Sequence, residues 1–255
     1  MTDQAMFQPD MLRGRAINVI GGGSLGSALF QNLIRMNVSP ELWDTDVVEA
    51  RNRFNQRVFE ADIGMKKTSS QARIADLIEW GRSANLALRD EKVGPDTKLS
   101  GIVLSAVDSM AARRDIWQAV KNNPSVSFFA DGRVGLDGGK AYGLDPNNVE
   151  HIARYEAPIH LHKDPANAVG ACKTEFPLPA IADIVAGHML MRLARWLHLE
   201  QGCNDPYENF VGFYFVPHLV QVTERWDADD EETEQSLLQR AKAWLTERRW
   251  PLFWK

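Results

Sequence analysis

The sequence has few cysteines and no long apolar run, and these two absences exclude several classes of protein. Its 255 residues include only Cys172 and Cys203, too few for a disulfide framework, and no CxxC pair offers a structural zinc site. No stretch reaches the roughly 18 uninterrupted apolar residues that indicate a membrane span. The N-terminal residues also lack the apolar core of a signal peptide. We therefore expect a cytoplasmic protein in a reducing setting, with no membrane association.

Charge of one sign is not in large excess either. The net charge is -5, with 44% hydrophobic and 25% charged residues, which is ordinary for a soluble globular chain. This mild acidity gives no indication of a nucleic-acid partner. The chain is long enough to bury a sizeable core.

Short β-branched runs alternate with amphipathic helical segments over the first 145 residues. Strands are predicted at 16–21, 41–44, about 85–93, 101–108, 127–135 and 140–145, and helices at 24–36, 66–80 and 110–120. The spacing places Leu25, Leu29, Leu33 and Met36 on one face of the first helix, and Ile74, Leu77 and Ile78 of the second helix are expected to face the sheet. This alternation predicts an α/β fold, a Rossmann-like doubly wound sheet that is mostly parallel. Ligands bind such sheets at the carboxyl ends of the strands, where the topology switches. Residues just after Ile20, Trp43 and Val107 should therefore converge.

The last third of the chain changes character. A long helix is expected after Cys172, and an aromatic strand pair interrupted at Pro217 follows it. A further segment with acids first and bases last suits a helix dipole. We expect a nucleotide-binding domain at 1–200 and a C-terminal extension at 201–255 that packs on it.

A glycine-rich turn joins the first predicted strand to the first predicted helix. Gly21, Gly23 and Gly26 form a GxGxxG pattern, which allows backbone amides to approach a phosphate at a helix N-terminus. Asp44 lies eighteen residues beyond Gly26, at the end of the second strand, where a carboxylate can hold ribose hydroxyls. On these residues alone, a nicotinamide- or flavin-dependent oxidoreductase is indicated.

The polar residues after Asp44 exceed what a dehydrogenase needs. Asp46, Asn52, Gln56 and Lys67 follow within a short segment. A solvated loop and helix is the simplest structural explanation for such a polar run. That explanation does not account for the order in which these residues occur.

That order resembles the ubiquitin-activating-enzyme-like (ThiF/MoeB/HesA-type) adenylating family. The matching segments are "GGGSLG", "DTDVVEARNRFNQ", "DIGMKK" and "LSAVDS", and the resemblance extends over about residues 14–200. It implies binding of ATP and Mg²⁺ and adenylation of a C-terminal carboxylate. The implied partner is a small ubiquitin-like protein, a sulfur-carrier protein or a short peptide, and the implied assembly is a homodimer.

The resemblance also implies roles for individual residues. The glycine turn, Asp44 and Asp46 would bind the nucleotide, with Asp44 on the ribose. The phosphates would be contacted by Asn52, Gln56 and Lys67, and Asp108 would be the Mg²⁺ ligand. Arg133 would lie close to the nucleotide, with a buried ion pair to Asp131 or Asp137 as the alternative. Cys172 would take the position of a thioester or persulfide cysteine, with simple packing as its alternative.

The sequence departs from the family pattern in two places. Asn55 stands where the family's Asn-x-x-Arg-Gln has its arginine, although Arg53 and Arg57 flank it and could reach the same phosphates. The family's N-terminal Arg-x-x-Arg-Gln is absent, and Arg13 and Arg15 match no motif. These departures keep a second hypothesis open, a non-catalytic relative that uses the fold to bind a partner protein.

Overall fold

One sheet of eight strands and five α-helices make up the part of the chain that the structure describes. This structure is a computed structural model that describes residues 9–79, 81–135, 138–157, 179–202, 208–214 and 220–226. The strands are β1 Ile17–Ile20, β2 Glu41–Trp43, β3 Ala87–Arg89, β4 Gly101–Ser105, β5 Val126–Val134, β6 Gly138–Leu144, β7 Phe210–Tyr214 and β8 Val220–Glu224. The helices are α1 Ser24–Arg35, α2 Lys67–Ile78, α3 Met110–Val120, α4 Val149–Glu156 and α5 Pro179–Glu200.

The strand order is β3-β2-β1-β4-β5-β6-β7-β8. The first five strands in this order pair in parallel, and β6, β7 and β8 continue the sheet by antiparallel pairing. The α/β Rossmann-like prediction is confirmed. From β1 the chain crosses to β2 and β3 on one side and then returns to β4 on the other. The topology therefore switches between the carboxyl ends of β1 and β4, where such sheets bind ligands.

The core has two halves because successive strand residues point to opposite faces of the sheet. Ile102 and Leu104 on β4 join a buried cluster with α1 and α5, whereas Val103 between them faces a second cluster with α3 and α4. In α1, the predicted inward positions Leu25 and Leu29 are both buried. The sheet is thus covered on both faces, as its apolar strands require.

Two details of the predicted elements are wrong. Leu77 was expected to face the sheet, but it is 65% exposed, because α2 packs on α1 and on the short edge strand β3. The strand predicted to end at Asp108 ends at Ser105. The residues that follow turn out of the sheet toward α3, whose N-cap is Ser109.

No helix in these described ranges has the length and apolar character needed to cross a membrane. The helix expected near the C-terminus lies outside the described residues.

Candidate functional site

The glycine turn between β1 and α1 is closed on one side and open on the other. Gly21 has φ +97°, and a Cβ there would lie 2.8 Å from the carbonyl oxygen of Ala106. A Cβ on Gly26 would lie 1.7 Å from the carbonyl oxygen of Gly21, so a side chain is excluded at both positions. A Cβ on Gly23 would meet nothing within 4 Å. Free space therefore adjoins the N-terminus of α1, whose unpaired N–H groups and dipole favour an anion.

Asp44 joins this turn to the segment that follows β2. Its Oδ2 accepts a hydrogen bond from the backbone N–H of Gly22 at 2.6 Å, and its Oδ1 accepts one from the N–H of Asp46 at 2.7 Å. Val107, just beyond β4, lies on the other side, because its Cγ1 would be 3.4 Å from a Cβ on Gly21. The residues after Ile20 and Trp43 converge as predicted, with Val107 beside them, and the convergence of Asp108 stays a prediction.

Lys67 brings a mostly buried cation to the same place. It is the first residue of α2 and only 8% exposed. Its Nζ donates to Oδ2 of Asp46 at 2.8 Å and lies 3.9 Å from Oδ2 of Asp44. Since an ammonium group has three donors, Lys67 keeps donor capacity for a ligand beside the glycine turn.

The polar segment between Asp46 and Lys67 forms a closed loop, which we call the 47–66 loop. Val47 and Lys66 pair as an isolated antiparallel bridge. Next to this bridge, the N–H of Val48 donates to the carbonyl of Met65, and the N–H of Gly64 donates to the carbonyl of Val48, both at 2.8 Å. The ends of the loop are therefore fixed to each other before they join β2 and α2.

The middle of the 47–66 loop is held by buried polar side chains of two helices. The carbonyl of Arg57 accepts hydrogen bonds from Nε2 of Gln31 at 2.9 Å and from Nε2 of Gln71 at 3.1 Å. The N–H of Arg57 donates to Oγ of Ser27 at 3.1 Å. Ser27 lies one turn into α1 from Gly23, so the loop is docked beside the glycine turn. Sequence patterns did not predict these three anchoring residues.

Two neighbouring amide side chains in the loop are buried. Asn55 is 8% exposed and Gln56 is 9% exposed. Neither Oδ1 of Asn55 nor Oε1 of Gln56 has a hydrogen-bond partner among the residues that the structure describes. Buried polar groups are normally paired, so these two acceptor oxygens favour a ligand that donates a hydrogen bond at this position. Asn52 differs, because its Oδ1 already accepts from the N–H of Glu49 at 2.8 Å.

The two arginines that flank Asn55 form ion pairs with acidic residues of this chain. Arg57 forms an ion pair with Asp183 of α5, with Nη2 2.8 Å from Oδ1. Arg53 forms an ion pair with Glu60, with Nη1 3.1 Å from Oε2. The expectation that these guanidiniums replace the missing family arginine finds no support in these contacts.

Asp108 lies just beyond Val107 and is exposed. Among the described residues, no group of three or more His, Cys, Asp or Glu side chains is placed to hold a metal ion. A single carboxylate nevertheless suits Mg²⁺, which usually keeps several waters and is bound through one or two carboxylates together with substrate phosphates. The residues present therefore fit a magnesium ion that arrives with a polyphosphate.

Arg133 lies in a buried cluster with Asp131 at its centre. Asp131 accepts from Nε of Arg133 at 2.9 Å, from Nε of Arg113 at 2.7 Å and from the hydroxyl of Tyr155 at 3.0 Å. Burial alone would raise the pKa of Asp131, but the charges of Arg113 and Arg133 hold it below its usual value. The guanidinium of Arg133 also stacks 4.7 Å from the ring centroid of Tyr142. The ion pair named as the alternative for Arg133 is present, and its catalytic role stays a prediction.

Arg113 was missed in the sequence, although a signal was there. It precedes Ile116, Trp117 and Val120 at helical spacing, so a charged residue occupies the apolar face of α3. Cys172, proposed as a reactive cysteine, lies outside the described residues.

Sequence and structure comparisons place the chain in a family. Residues 7–233 match the model of the ThiF family, so the chain belongs to this family. No curated protein matches it by sequence.

Two solved structures share the fold. The first is Escherichia coli MccB, crystallised with AMPCPP and selenomethionine MccA, at 14% identity and a TM-score of 0.59. That match covers 86% of this chain and 65% of MccB, so this chain matches somewhat less than two thirds of MccB. The second is PaaA, at 13% identity and a TM-score of 0.62, with 86% of this chain and 75% of PaaA covered.

Proposed function

We propose that this protein is an ATP-dependent adenylating enzyme that acts on the C-terminal carboxylate of a small partner. The observation that carries the proposal is Lys67, a mostly buried cation between two carboxylates and beside the open glycine turn. Membership of the ThiF family supports it. Structures of E. coli MccB with ATP and with AMPCPP are consistent with a nucleotide in this fold.

Each residue of the candidate site has its own role in binding ATP. The backbone amides at the N-terminus of α1 bind phosphate oxygens, Asp44 accepts a hydrogen bond from a ribose hydroxyl, and the side-chain NH2 groups of Asn52 and Gln56 donate to the polyphosphate. Lys67 moves its charge from Asp46 to the leaving pyrophosphate. Asp108 would hold Mg²⁺, which would supply positive charge to neutralise the phosphates.

The reaction is an in-line displacement. A carboxylate oxygen of the partner bonds to the α-phosphorus, the bond from that phosphorus to the bridging oxygen breaks, and pyrophosphate leaves with the electron pair. The products are an acyl-adenylate and pyrophosphate. Fixed donors around the phosphates stabilise the charge that develops on the leaving group.

The proposed partner is a small ubiquitin-like or sulfur-carrier protein or a peptide. The presence of MccA in an MccB structure supports a partner of this kind. A homodimer and a cytoplasmic location complete the proposal, the second supported by the low cysteine content. Arg133 and Cys172 remain candidate catalytic residues within it.

A second candidate function is favoured by one observation. Asn55 supplies no charge, and the neighbouring Arg53 and Arg57 are held in ion pairs with Glu60 and Asp183. A site with one cation fewer fits a non-catalytic relative that binds a nucleotide or a partner without transferring an adenylyl group.

Thermal unfolding with Mg·ATP, NAD, NADP and FAD tests the ligand class first. A ligand at 100 times its dissociation constant adds about 2.7 kcal/mol to the free energy of unfolding. Stabilisation by Mg·ATP alone is the expected result, and stabilisation by NAD or FAD alone would reject adenylation in favour of redox chemistry. ATP–pyrophosphate exchange with candidate partners then separates the enzyme from the non-catalytic relative. Asp108→Ala should abolish that exchange.

A further inference from the structure

Arg113 joins two strands at the point where their backbone pairing ends. The last residues paired between β4 and β5 are Ser105 and Asp131. Just beyond them, Nη2 of Arg113 donates to the carbonyl of Val107 at 2.8 Å and to the carbonyl of Gly132 at 3.2 Å. One guanidinium thus holds together the two diverging chains at the edge of the sheet where the candidate site lies.

The guanidinium of Arg113 is itself fixed in place. Its Nε donates to the fully buried carboxylate of Asp131 at 2.7 Å, and that carboxylate is also bonded to Arg133 and Tyr155. A planar guanidinium that donates to three acceptors through two of its nitrogens is held in one orientation. The two carbonyls are therefore bound by a group that does not rotate freely.

The contact with Val107 bears directly on Asp108. The carbonyl of Val107 and the N–H of Asp108 belong to the same planar peptide unit. On the other side of Asp108, Oγ of Ser109 accepts from the N–H of Ala112 at 3.1 Å and caps α3. The carboxylate of Asp108 forms no hydrogen bond or ion pair to any part of the chain that the structure describes. Its position is therefore set by its backbone, which Arg113 and the α3 cap hold from both sides.

We propose that Arg113 is the positioning residue for the magnesium ligand Asp108. This inference rests on the proposed function, because it assigns Asp108 to Mg²⁺. Arg113 does not touch the metal or the nucleotide. It fixes the peptide unit of Asp108 at the carboxyl edge of β4, so that the carboxylate meets the incoming ion without local rearrangement.

Arg113→Lys tests this role, with Arg114→Lys as the matched control. Lysine keeps a cation beside Asp131, but a single ammonium cannot reproduce the planar contacts to Asp131 and both carbonyls. Arg114 is the exposed neighbour on the same helix. The measurement is calorimetric binding of AMPCPP across a range of Mg²⁺ concentrations and also without metal. Residues that orient metal ligands typically affect metal affinity 10- to 100-fold.

For Arg113→Lys we expect the Mg²⁺ concentration at half-saturation to rise by about tenfold or more. The metal-free affinity for AMPCPP should stay unchanged, and Arg114→Lys should match the unmodified protein. An unchanged Mg²⁺ dependence would overturn the positioning role alone, as would an equal loss of affinity with and without metal. No binding of AMPCPP by the unmodified protein at any Mg²⁺ concentration would overturn the proposed function as well.

A second variant covers the case in which Arg113→Lys does not fold. Arg113→Gln combined with Asp131→Asn keeps the net charge of the buried cluster and leaves an amide pair in its centre. Glutamine cannot bridge the carbonyls of Val107 and Gly132 while bonding to residue 131. The same selective rise in the Mg²⁺ requirement is expected, and its absence in this variant would reject the role of Arg113.

Discussion

Lys67 is bonded to the more exposed of its two acidic neighbours. Its Nζ lies 2.8 Å from Oδ2 of Asp46, whose side chain is 65% exposed, and 3.9 Å from Oδ2 of the mostly buried Asp44. An ion pair with an exposed carboxylate is worth little, because water solvates the carboxylate when the partner leaves. The ammonium can therefore move to a phosphate at small cost while Asp44 stays bonded to the glycine turn.

Lys67→Met should weaken binding of Mg·ATP about 10- to 100-fold, the effect of losing a hydrogen bond to a charged group. Methionine keeps the length and apolar stem of the side chain but supplies no charge. Fluorescence titration with a labelled ATP analogue measures the change. Lys66→Met is the control, because Lys66 is exposed and its Nζ donates to the carbonyl of Thr45 at 2.7 Å. Equal effects of the two variants would contradict the role of Lys67.

Gly23→Ala and Gly26→Ala should separate ligand binding from folding. An added Cβ meets nothing within 4 Å at Gly23, but meets the carbonyl oxygen of Gly21 at 1.7 Å at Gly26. Gly23→Ala should fold normally and lose affinity for ATP, because its methyl group enters the space next to the N-terminus of α1. Gly26→Ala should lose about 3 kcal/mol or more of the free energy of unfolding. Urea denaturation and ATP titration of both variants provide the comparison, and full ATP affinity in Gly23→Ala would exclude a phosphate there.

Asn55→Arg should strengthen binding of ATP about tenfold, since a charge-assisted hydrogen bond contributes about 1.5 kcal/mol or more. The gain should be smaller for AMP, which carries fewer phosphate charges. Asn55→Gln is the neutral control and should not produce this gain, because an amide carries no charge. If the arginine also raises pyrophosphate exchange from an undetectable level, the unmodified protein is better described as a nucleotide-binding relative than as an active enzyme.

Asp131→Asn should destabilise the fold by about 3 to 5 kcal/mol at pH 7, because it leaves two buried guanidiniums without their counter-charge. Asp96→Asn, at an exposed position, is the control. Urea denaturation measures both variants.

The same variant should also change the dependence of stability on pH. The pKa of Asp131 is lower in the folded protein than its usual value, which is close to 4 in an unfolded chain. Its stabilising contribution is therefore complete above about pH 4 and is lost as the pH falls through the lower, folded pKa. The free energy of unfolding of the unmodified protein should drop in this acid range, whereas Asp131→Asn should lack that part of the drop. Parallel curves for the two proteins would show that folding does not lower the pKa of Asp131.

Much of the sheet was predictable because its signals are local. The apolar run before Gly21 and the spacing of Leu25 and Leu29 depend on neighbours in sequence, and both elements lie where they were predicted. The exposure of Leu77 was not predictable, because the periodicity of α2 does not reveal that the adjoining strand β3 is short and at the edge.

The candidate site was predictable in its residue types and less so in its contacts. Asp44, Asp46 and Lys67 meet because the bridge between Val47 and Lys66 brings the start of α2 back to the end of β2. The ion pair of Arg57 was not predictable, because its partner Asp183 lies 126 residues away and no local pattern links the two residues. Arg113 shows the same limit, since its position on the apolar face indicated burial but not the carbonyls that it binds.

The 47–66 loop, which Val47 and Lys66 close, contains residues that fix its position and other residues that are available to a ligand. The bridge and the hydrogen bonds to Arg57 fix the position of the loop on α1 and α2. The side-chain oxygens of Asn55 and Gln56, in contrast, have no hydrogen-bond partner among the described residues. Substitutions within the loop can therefore alter which ligand is held without altering the register of the sheet. Ligand preference can drift in such a protein while the scaffold stays the same, and the asparagine at position 55 is an exchange that this arrangement tolerates.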